Sequence, residues 1–238
     1  SLKVVDIATK NTDEKETQVL ITLQDEAKKK TPKILTPKET ILEQKREVSL
    51  KEEKDNNRYY VYVKGEVVLT TDSVSDAIIA ANSQMGVVIG ENQQYVWKRS
   101  RKTAQAAFND IVVGEEDSGA GSIAQCVNAI LEKEEINISV SALISQGETP
   151  KQILLNTLKD ATVLDLTGCT VDEILYYVSN GYPVFAMTGS SDAVLVVGYD
   201  ANNVVLYDPA MGQTYKRTTA DADEMFFNAG NIFFTYQK

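Results

Sequence analysis

The chain of 238 residues contains no histidine and only two cysteines, and it has no long apolar run. Without an imidazole, a serine or cysteine nucleophile has no ordinary base to activate it. Two cysteines are too few for a disulfide framework, and Cys126 and Cys169 lack the spacing of metal ligands. No signal peptide or membrane-spanning segment is visible, so we expect no membrane span within this chain. We also expect no cofactor and no metal.

Positive charge is also scarce. The chain has 24 Lys and Arg residues against 34 Asp and Glu residues, so its formal net charge is −10. This balance disfavours nucleic acids and anionic membrane surfaces as partners, and it is compatible with an exported domain. The chain begins at Ser1 rather than Met, which leads us to expect the exported part of a longer, anchored protein.

The stretch Asp192–Asp208 organises the C-terminal part of the sequence. Residues 193–197 form a continuous apolar run, which is typical of a strand covered on both faces. A turn at residues 200–203 and a second apolar run predict a hairpin. The hairpin places Asp192 and Asp208 at the ends of neighbouring strands, where they are either acidic turn residues or part of a site.

Composition and turn signals divide the chain into three parts. Residues 1–55 form a charged N-terminal arm with short strands predicted at 4–8 and 19–23. The pattern of residues 56–103 predicts a small ββαββ domain. The pattern of residues 104–238 predicts helices followed by an antiparallel sheet. The fold class is therefore α+β.

In the small domain, Ser73 or Asp72 caps a helix that runs to about residue 84, and Gly86 is predicted to end it in the left-handed conformation. Alternating aromatic residues, among them Tyr59, Tyr95 and Trp97, suggest either a stacking surface for sugar or peptide or the core of a small sheet.

The C-terminal domain has clear helix signals. We predict a helix over residues 118–131 with Asp117 as its N-cap, and a second helix that begins with the Thr149-Pro150 pair. Thr170 and Glu173 have the spacing of a capping box. Cys126 fits an apolar helix face, whereas Cys169 precedes a helix start, where thiolate character is conceivable.

Two motifs carry a resemblance. Residues 192–199 have the sequence DAVLVVGY, followed by Asp208-Pro209-Ala210, and residues 117–125 have the sequence DSGAGSIAQ. Together they resemble the papain-like cysteine peptidases that remove double-glycine leader peptides from bacteriocins. The resemblance covers about residues 105–238 and implies a papain-like C-terminal domain.

The resemblance places Ser118 at the nucleophilic cysteine, Asp192 at the catalytic histidine, Asp208 at the acid that orients it and Val112 at the oxyanion-stabilising glutamine. Only Asp208 retains the family residue. A carboxylate, with an ordinary pKa of about 4, is too weak a base for an alcohol. The chain is therefore predicted to be a pseudopeptidase, not an enzyme.

The leading hypothesis is a bacterial extracellular or cell-surface module that binds a peptide or protein in the vestigial cleft, lined by Ser118, Gly119, Asp192 and Asp208. One alternative is a hydrolase of altered chemistry that uses Ser118 or an Asp192–Asp208 pair sharing one proton. Another is an architectural protein of the cell wall. Residues 56–103 also resemble the sporulation-related repeat that binds cell-wall glycan, which implies glycan as a further partner.

Overall fold

A computed structural model describes residues 57–99, the backbone of residues 106–107, and residues 120–238. The predicted arm, with its strands at 4–8 and 19–23, lies outside these residues. Contacts place Asn56–Lys238 in one compact unit.

The first part of this unit has the predicted ββαββ order. Its elements are β1 (Tyr59–Val63), β2 (Glu66–Thr71), α1 (Val74–Ser83), β3 (Val87–Gly90) and β4 (Tyr95–Lys98). The four strands form an antiparallel sheet in the order β2-β1-β3-β4.

The second part contains five further helices and seven strands among the described residues. The helices are α2 (Ser122–Lys133), α3 (Val140–Ser145), α4 (Pro150–Thr157), α5 (Val171–Ser179) and α6 (Thr219–Asn228). The strands are β5 (Ala106–Ala107), β6 (Thr162–Asp165), β7 (Val184–Met187), β8 (Ala193–Tyr199), β9 (Asn203–Asp208), β10 (Gln213–Thr218) and β11 (Phe233–Gln237). Their order is β10-β9-β8-β7-β11-β6, and β5 pairs with the end of β8. Helices with antiparallel sheets confirm the α+β class.

Strand β8 lies at the centre of the structure. All seven of its residues are buried, as its apolar run predicted. Val194 and Val196 pack in a core with α1, α5, α6 and the small sheet, whereas Leu195 and Val197 pack against α2 and α4. Helices therefore cover both faces of the seven-stranded sheet. The predicted hairpin of β8 and β9 is confirmed, with Leu195 opposite Tyr207.

The small sheet shares a core with the larger part. The indole N–H of the buried Trp97 donates to the backbone carbonyl of Glu173 at 2.8 Å. The amide of Asn82 in α1 donates to Glu173 Oε1 at 2.9 Å, and the N–H of Thr170 donates to Glu173 Oε2 at 2.7 Å. These contacts give the buried carboxylate two donors. The boundary near residue 104 stays a prediction.

Several predicted helix starts are confirmed by their caps. The Ser73 side chain accepts from the N–H of Asp76, and Thr149 forms a capping box with Gln152. The capping box of Thr170 and Glu173 is also present. These signals are local, because each cap needs only residues within one turn of the helix.

The prediction for Gly86 is wrong. Met85, not Gly86, has the left-handed conformation, with φ of 54°. A Cβ atom on Gly86 would lie 2.6 Å from the backbone oxygen of Tyr62. Glycine is required here because the chain passes close to β1, and sequence alone does not show that contact.

We expect Gly86→Ala to lower the free energy of unfolding by about 1–3 kcal/mol, because the new methyl group would push against the backbone of β1. Urea unfolding followed by circular dichroism measures this change. Gly189→Ala is the control, since its Cβ would meet only Asp192 Oδ2 at 3.9 Å. Equal stability of the two variants would contradict the close approach.

The C-terminal strand is joined to the end of α2 by a cluster around Glu134, whose side chain is 8% exposed. The hydroxyl of Tyr236 donates to this carboxylate, and the ammonium of Lys238 forms an ion pair with it. Lys133 Nζ lies 3.5 Å from Glu134 Oε1. Burial raises the pKa of Glu134, but the hydrogen bonds from Lys238 and Tyr236 and the nearby charges outweigh it, so the net pKa is lowered.

A carboxyl group whose pKa falls on folding adds stability above its unfolded pKa of about 4.3, and this contribution is lost as the pH falls through the lower folded value. We expect the wild type to unfold at higher urea concentration than Glu134→Gln near neutral pH. The difference should shrink at about pH 3. Glu135→Gln, at an exposed neighbouring position, is the control and should change little at either pH.

Candidate functional site

The predicted site residues are only partly within the described structure. Val112, Ser118 and Gly119 lie outside the described residues, so their proposed roles stay predictions. Asp192 immediately precedes β8, and Asp208 is the last residue of β9. Because the two strands are antiparallel neighbours, both carboxylates lie at the same end of the sheet.

Helix α2 begins four residues later than predicted. Its first residue is Ser122, and its N-cap Gly121 has extended backbone angles, φ −62° and ψ 158°. The predicted start at residue 118 is therefore wrong. The Gly-Ser pair directly before the apolar residue Ile123 was the signal for the true start.

Sequence reasoning missed Ser122, and the structure places it against Asp192. The backbone N–H of Ala193 donates to Ser122 Oγ at 3.1 Å. The hydroxyl of Ser122 in turn donates to Asp192 Oδ1 at a long 3.5 Å. The start of α2 is also a favourable place for a carboxylate, because the unpaired N–H groups of the first turn carry partial positive charge.

Asp208 is engaged elsewhere. Its Oδ1 accepts from the backbone N–H of Ala210 at 2.9 Å, which closes the turn after β9. Within residues 57–99 and 120–238, no hydrogen bond joins Asp192 and Asp208. A proton shared by two carboxylates requires direct contact between them, so these hydrogen bonds give no support to an acidic dyad.

The two thiols are in the core. Cys126 and Cys169 both have no exposed surface. Burial and then the charge of Asp208 raise the pKa of Cys126 well above its ordinary value. Burial, followed by the charges of Glu173, Asp165 and Asp76, raises the pKa of Cys169. The expectation of possible thiolate character at Cys169 is therefore wrong, whereas that of a core role for Cys126 is confirmed.

The candidate site thus contains an alcohol, a carboxylate and a helix N-terminus. Its hydroxyl is held by the Ala193 N–H, and the full sequence contains no histidine that could take its proton. Groups of this kind can bind polar ligands, but they lack the base that makes a serine nucleophilic.

The aromatic residues of the small sheet do not form the suggested surface. Tyr59 is 7% exposed and Trp97 is 1% exposed, so both belong to the core. Tyr95 is 51% exposed, and Lys98 Nζ lies 5.4 Å from the centre of its ring. Tyr95 and Trp97 are two residues apart, so simple alternation would place both on one face. The register shift between β3 and β4 places Trp97 opposite the buried Val88 and Tyr95 opposite Ile89, and Tyr95 is therefore exposed.

Two further features bear on ligands and location. Among the described residues, no group of three or more His, Cys, Asp or Glu side chains could hold a metal ion. Over the same residues, no helix combines the length and the apolar character needed to cross a membrane.

Known structures include a distant structural neighbour of this chain. No protein family model matches the chain, and no curated protein matches it. A crystal structure described as that of a C39-like peptidase from Bacillus anthracis is 14% identical, with a TM-score of 0.49. The match covers 57% of this chain and 98% of that chain. Likeness at this level carries no argument about activity, and the α+β assignment rests on the observed elements and their pairing.

We expect both cysteines to resist a thiol-specific chromogenic reagent in the native protein, because each is fully buried and its raised pKa keeps it protonated. In denaturant, both should react at once. The number of thiols that react is measured by absorbance. Rapid modification of either cysteine before unfolding would contradict their assignment to the core.

Proposed function

We propose that the chain is a non-catalytic member of the papain-like peptidases whose candidate site binds a peptide or protein partner. The observation that carries this proposal is the Ser122 hydroxyl, which lies between the Ala193 N–H and Asp192 at the start of α2. These two contacts hold the hydroxyl in place, and the chain has no histidine to activate it.

The papain-like assignment is supported by the order of the elements and by residues of the resemblance. Helix α2 precedes strands β6 to β11 and packs on β8, and Asp208 ends β9 directly before Pro209. The peptidases that these motifs resemble remove leader peptides, which favours a peptide as the ligand. An exported or cell-surface location in a bacterium is part of the same proposal.

The loops around Asp192 provide the binding surface of this proposal. Gly121, Ser191 and Asp192 are exposed at one end of the sheet, and Ala210 is exposed in the turn after β9. The turn between β7 and β8 is closed by a hydrogen bond of 2.8 Å from the Thr188 N–H to the Asp192 carbonyl. A site built on strand ends has little conformational entropy to lose on binding.

The test uses the full chain and a synthetic double-glycine leader peptide labelled with a fluorophore. We expect saturable binding by fluorescence anisotropy and no cleavage by mass spectrometry. Asp192→Arg should weaken binding by about tenfold or more, because it replaces the carboxylate beside Ser122 with a bulky cation. Asp72→Arg, the same change at an exposed residue before α1, is the control.

The main alternative is a hydrolase of altered chemistry. Cleavage that is lost in Ser118→Ala or in Ser122→Ala would overturn the non-catalytic proposal. A cleavage rate that peaks at acidic pH and is lost in Asp208→Asn would instead support the carboxylate pair. Absence of any binding, with Asp192→Arg silent, would favour an architectural role.

A further inference from the structure

A cavity of about 300 Å³ lies far along the sheet from Asp192, where the small sheet meets the edge of the large one. We name it the edge cavity. Its wall includes Arg58, Tyr95 and Val96 from the small sheet, and Thr162, Leu164 and Gln237 from the large sheet. Its volume is at the lower end of the range for ligand pockets.

Two strand edges border this cavity. Among the described residues, β4 pairs with β3 alone, and β6 pairs with β11 alone. Within the part of the chain that the structure describes, each strand therefore has one edge without a strand partner, and Tyr95 of β4 and Thr162 of β6 both line the cavity. Backbone N–H and C=O groups at such edges are ready to pair with another strand.

One of these edge groups already has a substitute partner. The side-chain amide of Gln237 donates to the backbone carbonyl of Tyr95 at 3.1 Å. An amide N–H from β11 thus makes the hydrogen bond that a strand beside β4 would make. The register of β3 and β4 also shifts between Val88 and Ile89, where Tyr95 and Trp97 pair but Val96 has no opposite residue. Such a bulge leaves the backbone of Val96 outside the ladder.

The cavity is lined by charges of both signs, from Arg58, Glu91 and Lys238. Arg58 is exposed, and it has no ion-pair partner within the described parts of the chain. Lys238, which also lines the cavity, has its ammonium paired with Glu134. Of the two cations that line the cavity, Arg58 is thus the one without an ion-pair partner among the described residues.

We propose that the edge cavity binds an extended peptide segment, whose backbone pairs with the open edges of β4 and β6 and whose acidic residue pairs with Arg58. Strand edges favour a peptide over a saccharide, because a peptide backbone repeats its N–H and C=O groups at the spacing of a strand. This site is separate from the candidate site at Asp192 and does not depend on its function.

The test selects binders for the full chain from a displayed library of random peptides of about ten residues, long enough for one strand. A selected peptide is then synthesised, and hydrogen exchange is measured with and without it. We expect slower exchange in Tyr95–Lys98 and Thr162–Asp165. The same peptide with N-methyl groups on two alternate residues should bind about tenfold more weakly, because it loses backbone donors while its side chains remain.

The charge contact is tested on the protein. Arg58→Glu should weaken binding by about threefold or more. Lys64→Glu is the matched control, because Lys64 lies in the turn at the other end of β1. Since the N-methyl comparison uses the unaltered protein, it remains decisive if a variant fails to fold.

Several results would overturn the proposal. These are a selection that yields no binding peptide, exchange protection outside the two strands, and affinity that N-methylation leaves unchanged. Binding of chitotetraose at the same residues without any peptide binding would assign the cavity to saccharide. Pairing of the β4 edges of two copies, detected as a dimer by sedimentation, would assign it to self-association.

Discussion

The burial of β8 on both faces is the constraint on which the rest of the structure depends. Its seven residues leave no polar surface, so the strand is stable only if helices cover the sheet on each side. Val194 and Val196 belong to one core and Leu195 and Val197 to the other. The position of α2, and with it Ser122, follows from this packing, because α2 is the helix that covers the start of β8.

The same constraint explains why the candidate site is rigid and exposed at once. Asp192 is exposed and the next residue, Ala193, is buried, so the carboxylate is at the point where the core ends. The Ala193 N–H then holds Ser122. A fixed polar surface suits recognition, and the full sequence contains no histidine that could act as a base there. Both thiols are buried, so neither is accessible to a ligand at this surface.

Much of the fold could be predicted because its signals are local. The caps at Ser73, Thr149 and Thr170 and the apolar run of β8 each depend on a few neighbouring residues. The prediction for Gly86 is wrong because a contact with a residue distant in the chain determines the backbone there. Glycine is needed at position 86 because the backbone of β1 passes close to it. Neither the sequence around Gly86 nor that of β1 predicts this close approach. The motif at residues 117–119 indicates an earlier start of α2 than the Gly-Ser pair before Ile123, where the helix begins. The sequence pattern is compatible with Trp97 on the surface or in the core. Its hydrogen bond to the backbone of Glu173 places it in the core.

The amino-acid sequence by itself determined the absence of an imidazole, the α+β order, the central hairpin and the capping of its helices, since composition and short-range spacing are sufficient for each. Only the tertiary structure decided that Ser122 meets Asp192, that Asp208 bonds to its own turn, and that the edges of β4 and β6 border one cavity. The first and last of these join residues that are far apart in the chain, and they form only when the two cores pack and bring the sheets into register, whereas the bond of Asp208 is local and only the structure shows that it is made.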